Sequence, residues 1–289
     1  MHSKLKRKKP KNLMAITAQD VNKLRQMTGM GMMDCKQALT DAQGDFDKAI
    51  ELLRKKGEKI SAKRADNETK EGVVMIYTNE AQNEGIMFAF NCETESVAKN
   101  AEFNEIANRI LQTAIAHKPE TIEALMALQS DGKTLQEYIT NYMGKVGEKI
   151  LVTAYTYLKS EKVVSYLHSN NKLGVLVALE GTNGIDAVSV GKDLAMQIAA
   201  MNPIAVDREG IPQHILDKEL EIGMEQARNE GKPENMLEKI AMGKVNKFVK
   251  ESTLLNQEFV RDTSKTVAQY LESISKNLKV KTFKRFSTN

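Results

Sequence analysis

Val73-Val74-Met75-Ile76-Tyr77, a polar turn, Gly85-Ile86-Met87-Phe88-Ala89-Phe90 and then Cys92-Glu93-Thr94 form one block of this chain. Val163-Val164-Ser165-Tyr166-Leu167, Asn170-Asn171-Lys172, Gly174-Val175-Leu176-Val177-Ala178-Leu179 and Glu180-Gly181-Thr182 form a second in the same order. Each pair of β-branched and aromatic runs around a polar turn predicts an antiparallel hairpin. Each block then leads into a helical pattern, the first through Ile115. A Gly, apolar run and Thr repeated in one order point to an internal duplication of a hairpin-plus-helix unit.

Outward toward the N-terminus, three short helical patterns occupy residues 14–57. Thr17 and Asp20 have capping-box spacing, with Ile16 and Val21 placed as a hydrophobic staple. Gly29 ends the first helix, and Gly31 precedes a second whose face carries Met32, Cys35, Leu39 and Ala42. Asp45 caps a third, with Phe46, Ala49, Ile50 and Leu53 at helical spacing, ending at Gly57. Residues 58–71 are charged without a sustained apolar face and read as a linker, with a helical form left open. Toward the C-terminus, residues 213–252 read as a helical hairpin that reverses at Gly231-Lys232-Pro233, with Leu216, Leu220, Met224 and Ala227 facing Leu237, Ile240, Ala241 and Phe248. A further helix near Ser264 to Leu278 precedes a last strand with Val280, Thr282, Phe283 and Phe286. The expected fold class is α+β: a three-helix head and a duplicated core, divided at 72–160 and 161–289, that carries a projecting helical hairpin.

The 289 residues include 41% apolar and 28% charged side chains, the balance of a folded globular protein. The longest apolar runs are far shorter than the roughly 18–20 residues that span a bilayer, so no membrane partner is expected. The net charge of +4 comes largely from residues 1–13, where Lys4, Lys6, Arg7, Lys8, Lys9 and Lys11 form a basic arm. That arm is expected to be disordered and to offer nucleic acid at most a weak contact. Pro10 and Asn12 interrupt the h-region a signal peptide needs, which favours a cytoplasmic protein. Cys35 and Cys92 fall on different elements and read as reduced, buried thiols. The four histidines lack metal-site spacing, and Gly144-Lys145-Val146-Gly147-Glu148-Lys149 lacks the phosphate-loop spacing and reads as a helix break before a strand. With no metal, cofactor or catalytic constellation visible, the expected work is binding another macromolecule rather than enzymatic chemistry.

The segment Leu24-Arg25-Gln26-Met27-Thr28-Gly29-Met30-Gly31-Met32-Met33-Asp34-Cys35-Lys36-Gln37-Ala38-Leu39 closely resembles the N-terminal signature of the elongation factor Ts family. Gly44-Asp45, Leu53-Arg54-Lys55-Lys56-Gly57, Cys92-Glu93-Thr94, Val97-Ala98-Lys99-Asn100, Gly147-Glu148-Lys149-Ile150, Gly174-Val175-Leu176-Val177, Ile198-Ala199-Ala200 with Pro203, Gly231-Lys232-Pro233 and Phe259-Val260 follow in the family's order. The resemblance covers nearly the whole chain beyond Leu13. It implies a ubiquitin-associated-like head and a guanine nucleotide exchange factor for elongation factor Tu in translation, acting without a cofactor and permitting a homodimer.

Carried over residue by residue, the resemblance implies partner contacts at Leu24, Arg25, Thr28, Gly29, Met32, Met33, Asp34 and Cys35, with His168 a weaker one. It implies a magnesium-dislocating loop at Thr94, Glu95, Ser96 and Val97. The family usually has Asp-Phe where this chain has Glu95-Ser96, so the carboxylate is kept on a longer stem and the aromatic wedge is lost. Two rival readings are an RNA- or ribosome-associated protein using the basic arm, and a ubiquitin-type adaptor built on the head.

Overall fold

The computed structural model describes residues 16–288; the basic arm expected at 1–13 lies outside them. In chain order the elements are α1 (Ala18–Thr28), α2 (Met32–Asp41), α3 (Phe46–Lys63), β1 (Glu71–Thr78), β2 (Glu84–Cys92), α4 (Glu95–Ala98), α5 (Ala101–His117) and α6 (Ile122–Ala127). There follow β3 (Gln129–Ser130), β4 (Lys133–Thr134), α7 (Leu135–Val146), β5 (Ile150–Lys159), β6 (Lys162–Leu167), β7 (Leu173–Glu180) and α8 (Ala187–Met201). The chain closes with α9 (Gln213–Asn229), α10 (Glu234–Ser252), β8 (Glu258–Phe259), β9 (Asp262–Thr266), α11 (Val267–Ile274) and β10 (Lys279–Ser287). The fold class is α+β.

Among the described residues two compact units emerge, the first comprising residues 16–71, 91–106 and 126–151, the second 72–90, 107–125 and 152–288. In the first, α1 opens with the Thr17–Asp20 capping box and ends at Gly29, whose φ of 68° is left-handed. The Asp45 side chain accepts the Lys48 N–H and starts α3. Val21, Leu24, Met30, Cys35, Ala38, Leu39, Ala42, Ala49 and Leu53 close a core among the three helices. Met32, expected on the apolar face of α2, is instead 55% exposed, and Met30 from the preceding turn fills the core.

The third helix does not stop at Gly57 but continues to Lys63, so the linker expected at 58–71 begins as helix. The reason lies on α7. A Cβ on Gly57 would stand 2.5 Å from the Thr140 carbonyl oxygen, and one on Gly144 would stand 3.3 Å from the Gly57 Cα. Gly57 is a notch that admits a neighbouring backbone, and the helical hydrogen bonds run straight through it. Gly147, with φ 76°, caps α7, so the helix break expected before β5 falls at Gly147, while Gly144 lies inside the helix.

In the second unit, the sheet orders are β1-β2-β5 and β10-β7-β6. Strand β7 is buried on both faces: Val175, Val177 and Leu179 join a core with α8, α11 and Leu254, while Leu176 and Ala178 join Val74, Met87, Ala89 and Val163. A two-residue period with both faces covered explains why this strand reads as an unbroken apolar run.

The duplication is visible at atomic scale, with a constant offset of 89 positions. Val74 N–H donates to the Asn171 carbonyl (2.7 Å), and Val163 N–H donates to the Gln82 carbonyl (2.6 Å). Gln82 (φ 52°) and Asn171 (φ 57°) are both left-handed. Asn79 N–H closes its turn onto Glu84, as His168 N–H does onto Leu173. A Cβ on Gly85 would meet Val163 and Leu176, and one on Gly174 would meet Val74 and Met87. Reciprocal contacts of this kind are what a local two-fold relation between two copies of one motif requires.

Helices α9 and α10 reverse at Gly231, whose φ is 72°. On α10 the buried stripe is the expected Leu237 and Ala241 with Val245 and Val249; Phe248 is half-buried and packs against the same core, and Ile240 is half-buried. A strict four-residue spacing keeps small side chains toward α9, where Gly223 sits over Ala241. The last helix is shorter than expected: Thr266 and Gln269 form its capping box, because Ser264 belongs to β9, and it ends at Ile274.

Candidate functional site

The turn between α1 and α2 is built from inside. Thr28 Oγ1 donates to the Leu24 carbonyl (2.8 Å) and accepts the Met30 N–H (3.3 Å), and the Cys35 thiol reaches the Met30 carbonyl at 3.7 Å. Leu24 and Cys35 are fully buried, so both support the turn from within and offer no surface for contact. Arg25 is exposed, Thr28 and Gly29 are half-buried, and Met33 is 74% exposed. Met27 of α1, which was not among the sequence-derived candidates, is also exposed at 54%, alongside Met32 at 55% and Met33 on α2. Methionine's unbranched, polarizable side chain suits a surface that must adapt to a partner.

Asp34 lies in the first turn of α2, where the helix dipole favours a carboxylate, and pairs with Lys56 of α3. Gly29 approaches α7: a Cβ there would stand 3.4 Å from the Lys145 Nζ, which itself pairs with Glu102.

The loop at residues 94–97 belongs to the same unit. Thr94 is the N-cap of α4, and its Oγ1 accepts the Val97 N–H at 3.4 Å. Glu95 and Ser96 are exposed, Val97 and Ala98 buried. Glu95 pairs with Lys99 at 2.9 Å. Thr94 is held from α7's far end: its N–H donates to Glu148 Oε2 (3.1 Å) and its hydroxyl to Glu148 Oε1 (2.7 Å). Next door, Glu93 accepts the Lys149 N–H (2.6 Å), the Arg64 guanidinium (2.7 Å) and the Asn67 amide (2.9 Å).

Partial burial works to raise the Glu93 pKa, but those three donors outweigh it and hold the carboxyl below its ordinary value. Under the loop, burial, aided by the Glu148 charge, pushes the Cys92 thiol up to about 12 and keeps it protonated. Its Sγ donates to the Thr94 carbonyl at 3.2 Å.

The structure thus brings the head candidates and the 94–97 loop into one unit, the head against α7 and the loop tied to Glu148 just past the end of α7. His168 lies in the other unit, exposed, with its Nδ1 2.9 Å from the Tyr166 hydroxyl. Sequence reasoning missed Met27 and the anchoring roles of Glu93 and Glu148. The motifs Cys92-Glu93-Thr94 and Gly147-Glu148-Lys149-Ile150 were visible, but not that they meet across 54 residues. Among the described residues no group of His, Cys, Asp and Glu could hold a metal ion, and no helix is long and apolar enough to cross a membrane.

Fold and site together define an α+β protein made of a three-helix head and a duplicated hairpin-plus-helix core. The family model described as elongation factor TS matches residues 93–289. The elongation factor Ts of Amoebophilus asiaticus is 58% identical over 272 residues, covering 94% of this chain and 98% of that protein. That of Cytophaga hutchinsonii is 54% identical over 273 residues, with the same coverage of 94% and 98%, and that of Porphyromonas gingivalis is 48% identical over 279, with 96% and 99%. This chain belongs to the elongation factor Ts family, and its place is in the elongation stage of protein synthesis.

Proposed function

We propose that this protein is a cytoplasmic guanine nucleotide exchange factor that binds elongation factor Tu in its GDP form. On this reading it disturbs the phosphate and magnesium region and promotes GDP release and GTP reloading. The observation that carries the reading is the pairing, in one unit of a chain from this family, of an exposed methionine patch with a short anchored loop. Arg25, Met27, Met32 and Met33 supply the docking face, and Glu95 and Ser96 form the exposed tip that reaches the nucleotide site. Leu24, Thr28 and Cys35 shape the turn behind that face.

GDP on such a GTPase is held by backbone N–H groups around its phosphates and by magnesium. A factor that binds the nucleotide-free form more tightly than the GDP form weakens GDP by the same ratio, and each difference of about 1.4 kcal/mol is tenfold. No bond is made or broken, so the protein acts as a binder and not as an enzyme. With Ser96 in place of an aromatic wedge, Glu95 and the head carry more of the exchange energy. The test is release of a fluorescent GDP analogue from elongation factor Tu: acceleration is expected, and a rate unmoved by saturating protein refutes the reading.

A further inference from the structure

Two neighbouring pairs of residues meet in a crossed arrangement. The Glu93 carboxylate takes the backbone N–H of Lys149, and the Glu148 carboxylate takes the backbone N–H and hydroxyl of Thr94. Each carboxylate thereby fixes the backbone of the residue that follows the other. The brace also reaches the end of α3. Glu93 Oε2 holds Arg64 and Asn67, while the Lys149 ammonium donates to the carbonyls of Ala65 and Asn67 (2.9 Å to Asn67). One knot therefore joins the tail of the head, the start of the 94–97 loop and the segment after α7, all within the first unit.

This matters because α4 has only four residues, Glu95–Ala98. A helix of one turn lacks the length to be stable alone, so its position depends on what grips its ends. At its start the grip is Thr94, whose hydroxyl accepts from Val97 while donating to Glu148, using both capacities of the group. Removing the Glu148 carboxylate leaves the head face untouched but frees the loop's leading residue.

We propose that Glu93 and Glu148 are positioning residues that register the 94–97 loop against the head, and that this registration sets the maximal rate of nucleotide release rather than the affinity for the GTPase. The proposal rests on the exchange function above. Reactions that depend on geometry lose rate when a contacting group is misplaced by about an ångström, even where binding elsewhere is intact.

The experiment measures GDP release from elongation factor Tu against concentration of the full chain, for the unmodified protein, Glu148→Ala and Glu148→Gln. For Glu148→Ala the half-saturating concentration stays within about twofold while the maximal rate falls about tenfold, the split expected when an interaction realised only during release is removed. Glu148→Gln, which keeps an acceptor oxygen for Thr94, recovers most of that rate. A maximal rate for Glu148→Ala within twofold of the unmodified protein overturns the proposal, as does a loss confined to the half-saturating concentration.

Amide hydrogen exchange separates this outcome from failure of the function itself. In Glu148→Ala the amides of residues 94–98 exchange faster while those of α8 do not change. Unchanged exchange in 94–98 overturns the positioning role, whatever the release assay gives. An unmodified chain that leaves GDP release unaffected refutes the exchange function alone.

Discussion

Met33 is 74% exposed on α2, whereas Leu24, nine positions earlier, is fully buried. The two side chains sit in one signature but do different work, and single substitutions separate them. Met33→Ala leaves the unfolding midpoint within the roughly ±0.5 kcal/mol typical of surface changes. It weakens the complex with elongation factor Tu about tenfold, part of the roughly 1.5–3 kcal/mol gained on burying a methionine. Leu24→Ala instead costs about 2–5 kcal/mol of stability through the cavity it leaves. Calorimetric titration beside thermal melts tests both, and unaltered affinity in Met33→Ala would remove the patch from the interface.

Glu93 makes a pH-dependent contribution whose sign follows from its lowered pKa. A depressed carboxyl stabilises the fold fully above its ordinary value of 4.5, and the contribution is lost as pH falls through the lower folded value. The stability gap between the unmodified protein and Glu93→Gln should therefore be constant near neutrality and close below about pH 4.5. Urea midpoints across pH 3 to 7 check this; a gap that widens on acidification contradicts it. At this scale the local signals were legible: Thr17, Asp20, Asp45 and Gly29 act within three or four residues of themselves. Glu93 and Glu148 were not, because their partners come from 26 to 56 positions away.

For whole elements, α3 carries the clearest lesson. A glycine in a helical pattern reads as a stop because it costs about 1 kcal/mol relative to alanine in a helix. Here that cost is offset by the close approach of α7 at Thr140, and by the Arg54–Glu137 ion pair across the same two helices (2.8 Å). Gly57→Ala therefore fails to give the usual helix gain. It destabilises the first unit by about 1–3 kcal/mol through overpacking against a backbone oxygen that has little room to move. Chemical denaturation measures this, and a stabilised variant would show that α3 and α7 separate easily. Facing stripes were legible only in part: Leu216 and Ala227 on α9 and Leu237 and Ala241 on α10 are buried as expected, but Val245 and Val249 were not foreseen and Ile240 is only half-buried.

In the molecule as a whole, the duplicated hairpins supply a prediction that one copy alone cannot. Gly85 and Gly174 occupy equivalent notches, each built against a valine and a long side chain of the other copy. Gly85→Ala and Gly174→Ala should each cost about 1–3 kcal/mol, by amounts within a factor of two of one another. Together they should lower the denaturation midpoint of the second unit more than either alone. Costs differing fivefold would mean that the two notches no longer carry equivalent loads.

What the sequence determined by itself is the two hairpins and their repeat, the three helices of the head with the caps at Thr17, Gly29 and Asp45, and the helical hairpin, since capping boxes and two-residue apolar periods are written in neighbouring residues. It also carried the family, because a long ordered signature survives without any knowledge of contacts. Only the tertiary structure decided which signature residues face outward. It put Met32 at the surface, turned Gly57 from a terminator into a notch, and joined Glu93 to Lys149 and Thr94 to Glu148. The physical reason is the same in each case: exposure, close approach and long-range hydrogen bonds depend on the partner across the gap, and that partner is fixed by packing rather than by spacing along the chain.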